Sequence, residues 1–227
     1  YILSQPSMRK THFSVRKKGM EKLGKMEPCL VLMNHSSFID LKIASTLLYP
    51  RPFNIICEAD GFVGKEWLMR QIGCIPTHKF VSETALVKDM MYTVRTLKSS
   101  ILLYPEASYS FDGTSPTPLP ESLGKCIKLL KVPVVMIRTY GAFQRDPLYN
   151  LLKLRNVDVS ADMEYLLSPE EIASLTSDDI NSLVSSRFAF DHFQWQKENG
   201  IEVKEDFRAD GLSSVLYKCP KCGKEGM

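Results

Sequence analysis

Apolar residues in this chain fall into short unbroken runs, separated by stretches in which they recur every three or four positions. Cys29 to Met33 is an apolar run with no polar alternation, the pattern of a strand buried on both faces. It stops at Asn34-His35-Ser36-Ser37. Phe38, Ile39, Leu41, Ile43 and Ala44 then continue at helical spacing, with Ser37 as N-cap and Asp40 three residues on as in a capping box. Tyr49-Pro50-Arg51-Pro52 breaks that helix. Phe53 to Cys57, Ile101 to Tyr104 and Val132 to Ile137 repeat the buried-strand pattern, and 65–72, 82–98 and 122–130 repeat the helical one. From Asn156 to Leu166 the chain alternates, with Val157, Val159, Ala161, Met163 and Tyr165 on one face, as an antiparallel edge strand does. Ser168-Pro169-Glu170-Glu171 opens a further helix with N-cap, N1 proline and N3 glutamate in place. A last helix is predicted over 178–199, closed by Gly200, with Phe188, Phe190, Phe193 and Trp195 as packing groups. Strands alternating with helices predict an α/β fold: a mixed, mostly parallel sheet flanked by helices.

In open α/β sheets, ligands bind in the crevice at the carboxyl ends of the strands, and His35 sits on such a strand-to-helix turn. The positive end of the helix dipole disfavours a second proton on the imidazole, which keeps it available as a base. Asp40, on the first helical turn, is placed to accept the other ring N–H and so fix the tautomer. A base of this kind acts on a substrate hydroxyl directly, without a Ser or Cys nucleophile. Spacing alone leaves open the plainer alternative, a turn histidine beside a capping aspartate.

Asn34-His35-Ser36-Ser37-Phe38-Ile39-Asp40 resembles the NHxxxxD motif of the glycerolipid acyltransferases, the family of 1-acylglycerol-3-phosphate and glycerol-3-phosphate acyltransferases. Three later segments resemble that family's other motifs, in order, across roughly residues 25–145. Gly73-Cys-Ile-Pro-Thr-His-Lys79 is similar to a segment that ends in a phosphate-binding Arg; Lys79 keeps the charge and loses the bidentate fork. Pro105-Glu106-Ala107-Ser108-Tyr109-Ser110 is similar to Pro-Glu-Gly-Thr-Arg-Ser. Ala107 and Ser108 replace its Gly and Thr, and Tyr109 replaces the Arg that holds the acceptor's phosphate, which leaves Lys79 or Arg138 as substitute cations. Val132-Pro133-Val134 resembles the fourth motif, an apolar strand near the acyl donor. The resemblance implies transfer of an acyl group from acyl-CoA or acyl-carrier protein to a hydroxyl of a lysophospholipid acceptor, first of all 1-acylglycerol-3-phosphate, in phospholipid biosynthesis. It implies His35 and Asp40 as the catalytic pair and no cofactor for the chemistry. Glu106, Ser108 and Tyr109, with Lys79 and Arg138, are then the residues that meet the acceptor. The departures at Ala107 and Tyr109 leave two alternatives, a non-catalytic lipid-binding member of the same fold and an acyl-thioester hydrolase.

Composition narrows this further. With 227 residues, 44% hydrophobic and 24% charged, the chain is an ordinary globular sequence with enough material for one sizeable core. No apolar run approaches the ~20 residues that cross a bilayer, and no signal peptide is visible. A net charge of +3 is too small for a nucleic-acid binder. It is unevenly placed: Arg9, Lys10, Arg16, Lys17, Lys18, Lys22 and Lys25 face a single nearby acid, Glu21. Residues 1–26 therefore read as a basic, membrane-proximal lead-in attracted to anionic lipid by roughly 1 kcal/mol per basic residue, followed by an acyltransferase domain at 27–200 and a tail at 201–227. This predicts a cytoplasmic protein peripheral on the inner face of the membrane. Phe111 to Pro120, rich in Pro, Gly, Ser and Thr, is a candidate gate beside the site. The six cysteines read as reduced. Cys219-Pro-Lys-Cys222-Gly223 has the turn of a zinc knuckle but supplies only two of four ligands, half a zinc ribbon that is expected to be empty here and to hold a structural zinc in a longer chain.

Overall fold

The computed structural model describes residues 1–78, 84–115, 119–151, 153–219 and 221–225. Seven strands form one sheet: β1 (Ser14–Lys18), β2 (Leu30–Met33), β3 (Phe53–Glu58), β4 (Cys74–Thr77), β5 (Ser100–Leu103), β6 (Val134–Tyr140) and β7 (Ser160–Leu167), in the order β1-β7-β6-β2-β5-β3-β4. Neighbours are parallel everywhere except at β6–β7. The mixed, mostly parallel α/β sheet predicted from the hydrophobic runs is the fold observed.

The helices are α1 (Gln5–Lys10), α2 (Asp40–Leu48), α3 (Glu66–Gln71), α4 (Thr84–Arg95), α5 (Ser122–Leu130), α6 (Ala142–Arg145), α7 (Pro169–Ser174), α8 (Ser177–Phe188) and α9 (His192–Glu198). They cover both faces of the sheet, which is why its central strands lack polar alternation. On one face Leu30, Leu32 and Ile101 meet α4, α5, α7 and α8 through Met90, Ile127, Ile172 and Val184. On the other, Val31, Met33 and Ile137 meet α1 and α2 through Met8, Ile43 and Leu48. The central strand β2 is fully enclosed by these two layers, and its carboxyl end is held in place by β5 and β6 on either side.

Four details differ from the sequence reading. The basic lead-in supplies a strand: β1 pairs with β7, so β7 is not an edge and the sheet extends ahead of residue 27. All five residues of β1 are exposed, so no apolar alternation announces the strand. Its charge is also largely answered across the ladder. His12 meets Asp158, Arg16 meets Asp162 and Lys18 meets Glu164, each pair 146 positions apart as the parallel register requires.

The helix expected over 178–199 is two helices. The break lies at Ala189-Phe190-Asp191, where Asp191 caps α9 by accepting from the Phe193 and Gln194 N–H groups. The same break holds the segment read as a gate. Thr114 bridges Asp191, Ser115 N–H donates to the Phe190 carbonyl at 3.0 Å, and His192 N–H donates to the Gly113 carbonyl at 2.8 Å. Residues 113–115 are thereby tied to the body of the fold, while 116–118 lie outside the described residues.

The tail is not a separate unit up to residue 210, because Asn150 and Arg155 bind its backbone through the Phe207, Arg208 and Asp210 carbonyls. Among the cysteines, all free, Cys57 and Cys74 come together across β3 and β4 with sulfurs 3.6 Å apart, a proximity their positions in sequence did not signal.

Candidate active site

His35 lies just past the carboxyl end of β2, on the turn that enters α2. The Asp40 side chain, fully buried, folds back over that turn. Its Oδ2 accepts from His35 Nδ1 at 3.1 Å, from Ser36 N–H at 2.7 Å and from Ser37 N–H at 2.9 Å. A carboxylate oxygen can only accept, so Nδ1 carries the proton and Nε2 is the lone-pair nitrogen of the neutral ring. The predicted capping box is half present. Asp40 accepts from the Ser37 N–H, but Ser37 Oγ accepts from Ile39 N–H instead of Asp40 N–H, and it donates to Asp146 Oδ1.

Neighbouring strands clamp the turn. Asn34 Oδ1 accepts from Thr139 N–H at 2.9 Å and from its hydroxyl at 3.2 Å, which fastens the end of β2 to β6. On the β5 side Glu106 Oε2 accepts from His35 N–H at 2.9 Å, and Ser110 N–H donates to the His35 carbonyl at 2.7 Å. The imidazole is stacked against Tyr104 (centroids 3.9 Å apart) and Tyr109 (3.6 Å), and two rings can both stack on it only from opposite faces. Phe38 leans on Tyr109 at 5.0 Å. The result is an imidazole with its tautomer set by a carboxylate and its plane set by two phenols.

A family model described as Acyltransferase matches residues 14–139, from the first residue of β1 into β6, which is more than half of the chain. The chain belongs to the acyltransferase family. Its fold is similar to the crystal structure of the 1-acyl-sn-glycerophosphate (LPA) acyltransferase PlsC from Thermotoga maritima, with a TM-score of 0.64 over 89% of this chain and 78% of that one, at 15% identity. No curated protein sequence matches it.

Within this acyltransferase the residues singled out from sequence do not all converge. His35, Asp40, Glu106 and Tyr109 share one cluster. Ser108 is exposed, its hydroxyl 3.4 Å from the Glu106 carbonyl of its own loop. Arg138 belongs elsewhere: its guanidinium lies over the Phe190 ring, 5.4 Å from the centroid, and Phe190 in turn meets His192. Lys79 lies outside the described residues. No Lys or Arg side chain among the described residues hydrogen-bonds or pairs with His35, Asp40, Glu106 or Tyr109. Sequence reasoning missed Asp146, which is 109 positions from Ser37 and carries no motif, and it read Tyr104 only as the end of a strand.

Electrostatics divide the acidic groups by role. Burial raises the Glu106 carboxyl to about 7, against the lowering effect of the His35 N–H; the charge of Asp40 adds to the rise. Asp146 is raised to about 6, again mainly by burial, with Asp40 contributing and the Ser37 hydroxyl opposing. Tyr109 is pushed up to about 12 by burial and by the charges of Asp40 and Asp146, so it remains a neutral phenol. At the family's glycine position Ala107 has φ +55°, in the left-handed region where a Cβ is unfavourable.

Two measurements follow from this geometry. Because the folded-state pKa of Glu106 is raised, its neutral form contributes stability below the ordinary value of 4.5, and that contribution is lost as pH rises through about 7. Relative to Glu106→Gln, whose amide does not titrate, the wild-type protein should lose thermal stability between about pH 5 and pH 8. A difference in Tm that stays flat with pH would show that Glu106 is not held near neutrality. Ala107→Gly should raise the free energy of unfolding in urea by ~1 kcal/mol, because glycine relieves the positive φ; a loss of stability there contradicts the loop geometry.

Proposed function

We propose that the protein transfers a fatty acyl group from a thioester donor, acyl-CoA or acyl-carrier protein, to a hydroxyl of a lysophospholipid, with 1-acylglycerol-3-phosphate as the first acceptor to test. The single observation that carries this reading is the His35–Asp40 pair, which leaves Nε2 as the base. In the reaction Nε2 takes the hydroxyl proton as the acceptor oxygen attacks the thioester carbonyl. The tetrahedral intermediate then collapses, the C–S bond breaks, and the imidazolium returns the proton to the leaving thiolate. Asp40 holds the ring and stabilises its transient positive charge. Glu106 is already engaged by the His35 N–H, so its role is to fix the turn against β5 as well as to face the acceptor. With Tyr109 where relatives of this family have an Arg, any phosphate on the acceptor needs another cation, and Lys79 is the residue proposed for it.

A lipid acceptor places the carboxyl end of the sheet at a bilayer surface. No helix among the described residues is long and apolar enough to cross a membrane. β1 runs opposite to β2, so Lys17, Lys18 and the basic residues after them lie at the end of the sheet away from His35, and Arg16 and Lys18 are paired with Asp162 and Glu164. At the His35 end Phe38 is 51% exposed, and Val63 and Trp67, on the segment that leaves the carboxyl end of β3, are 75% and 74% exposed. We infer that this apolar rim, more than the basic lead-in, is the part that meets lipid, in the manner of interfacial aromatic residues on a peripheral protein.

His35→Ala should lower acyl transfer by ~10²-fold or more, with a cooperative unfolding transition kept at a Tm reduced by the lost stacking on Tyr104 and Tyr109. The assay follows thioester consumption from acyl-CoA with and without lysophospholipid. Turnover that does not depend on the acceptor would make the protein a hydrolase, and transfer by the variant at the wild-type rate would remove His35 from the mechanism. In vesicle sedimentation the pair Val63→Ser with Trp67→Ala should weaken binding several-fold, and Lys17→Ala with Lys22→Ala should change it little. The reverse ranking returns membrane contact to the basic segment.

A further inference from the structure

Acyl transfer makes no use of the end of the chain, yet that end has a defined shape. The segment before it is anchored. The buried Asn150 side chain donates to the Phe207 carbonyl at 2.8 Å and to the Asp210 carbonyl at 3.1 Å, and the buried Arg155 donates to the Arg208 carbonyl at 2.6 Å. Gly211, at φ +75°, passes so close to Tyr149 that a Cβ would sit 1.8 Å from the Tyr149 carbonyl oxygen. From this anchor the chain continues through Leu216 and Tyr217 into a small hairpin in which Lys218 bridges Glu225. Cys219 N–H donates to the Lys224 carbonyl at 2.8 Å, and Gly223 N–H donates to the Cys219 carbonyl at 2.9 Å.

Inside the hairpin Cys219 lies on the incoming arm and Cys222 just before Gly223, which is in the left-handed region at φ +71° and bonds back to the Cys219 carbonyl. Two thiols at Cys-x₂-Cys spacing on a tight turn closed by a left-handed glycine are the arrangement in which two thiolates meet one metal. The other cysteines cannot join them: Cys29 and Cys126 sit against the core, and Cys57 and Cys74 are paired on β3 and β4. No group of three or more potential ligands occurs among the described residues. Leu216 and Tyr217, 46% and 64% exposed, flank the hairpin as an apolar surface that a second hairpin would cover.

We propose that Cys219 and Cys222 form half of a tetrahedral tetrathiolate Zn²⁺ site, whose other half is a second pair of thiolates presented from outside residues 1–227 of the same copy. The source is either the same hairpin of another copy or further sequence of the same polypeptide. On binding, each thiol loses its proton to solvent and forms a Zn–S bond, so no oxidant or reductant is involved.

The test is a Co²⁺ titration of the reduced, metal-free protein, read by the thiolate-to-metal charge-transfer band and the tetrahedral d–d bands, followed by displacement with Zn²⁺. Molar mass is measured by light scattering at each stage. If another copy completes the site, the bands saturate at one metal per two chains and the mass doubles. If further sequence completes it, the same titration of the longer natural polypeptide gives one metal per chain with no change in mass. In either case Cys219→Ser with Cys222→Ser removes the bands, and Cys57→Ser with Cys74→Ser leaves them. The proposal is overturned if neither protein shows a tetrathiolate spectrum, or if the spectrum survives loss of Cys219 and Cys222. Neither result touches the His35 chemistry, since no residue of that site lies in the tail.

Discussion

The structure depends most on one oxygen atom, Asp40 Oδ2. A fully buried carboxylate is costly unless it is bonded, and this oxygen accepts three hydrogen bonds, two from the backbone of the turn and one from the His35 ring. The two backbone bonds close the turn between β2 and α2. Once the turn is closed, the imidazole is presented with Nδ1 inward and Nε2 outward. The same interaction therefore folds the loop and selects the tautomer, so removing the carboxylate would disturb geometry and chemistry together.

What holds that turn in the molecule is non-local. Thr139 on β6, Glu106 and Ser110 after β5, and Asp146 after α6 each bond to a different atom of residues 34–37. These partners reach it because β5 and β6 flank β2 in parallel and release their loops at the same edge. The three carboxyl groups gathered here are not equivalent. Asp40 has its bonds to N–H groups, whereas Glu106 and Asp146 are raised by burial and by the charge of Asp40. Burial next to another carboxyl group disfavours ionisation of Glu106 and Asp146, which limits repulsion within the cluster.

The aromatic enclosure of His35 departs from the cationic loop that the motif resemblance led one to expect there. Tyr109 takes the place of a cation and covers the base, and the described residues bring no other cation to it. An enclosure of this kind suits the carbonyl and glycerol end of a lipid better than a bare phosphate. Phe38, Val63 and Trp67 add exposed apolar side chains at the same end of the sheet.

The alternation of buried strands and helices from β2 to α7, and the His35–Asp40 pair, were legible in the sequence because both are local. A strand buried on two faces must be apolar throughout, and a bond spanning five residues across one turn depends on little beyond that turn. Resemblance at four motifs added Glu106 and the loop that carries it. Other features followed only from the tertiary arrangement. β1 is exposed along its whole length, so nothing in its hydrophobicity marks it as a strand; its place is decided by pairing with β7, 146 residues later. The break between α8 and α9 is stabilised by backbone bonds to Gly113 and Ser115, partners that helical periodicity does not register. Asp146 and Tyr104 enter the site, and Arg138 leaves it for Phe190, because strand order brings together residues whose separation along the chain has no local signature. Sequence by itself determined which segments must be buried and which turn holds the base. The tertiary structure decided what surrounds that base, because the partners of a buried polar group are chosen by which strands become neighbours.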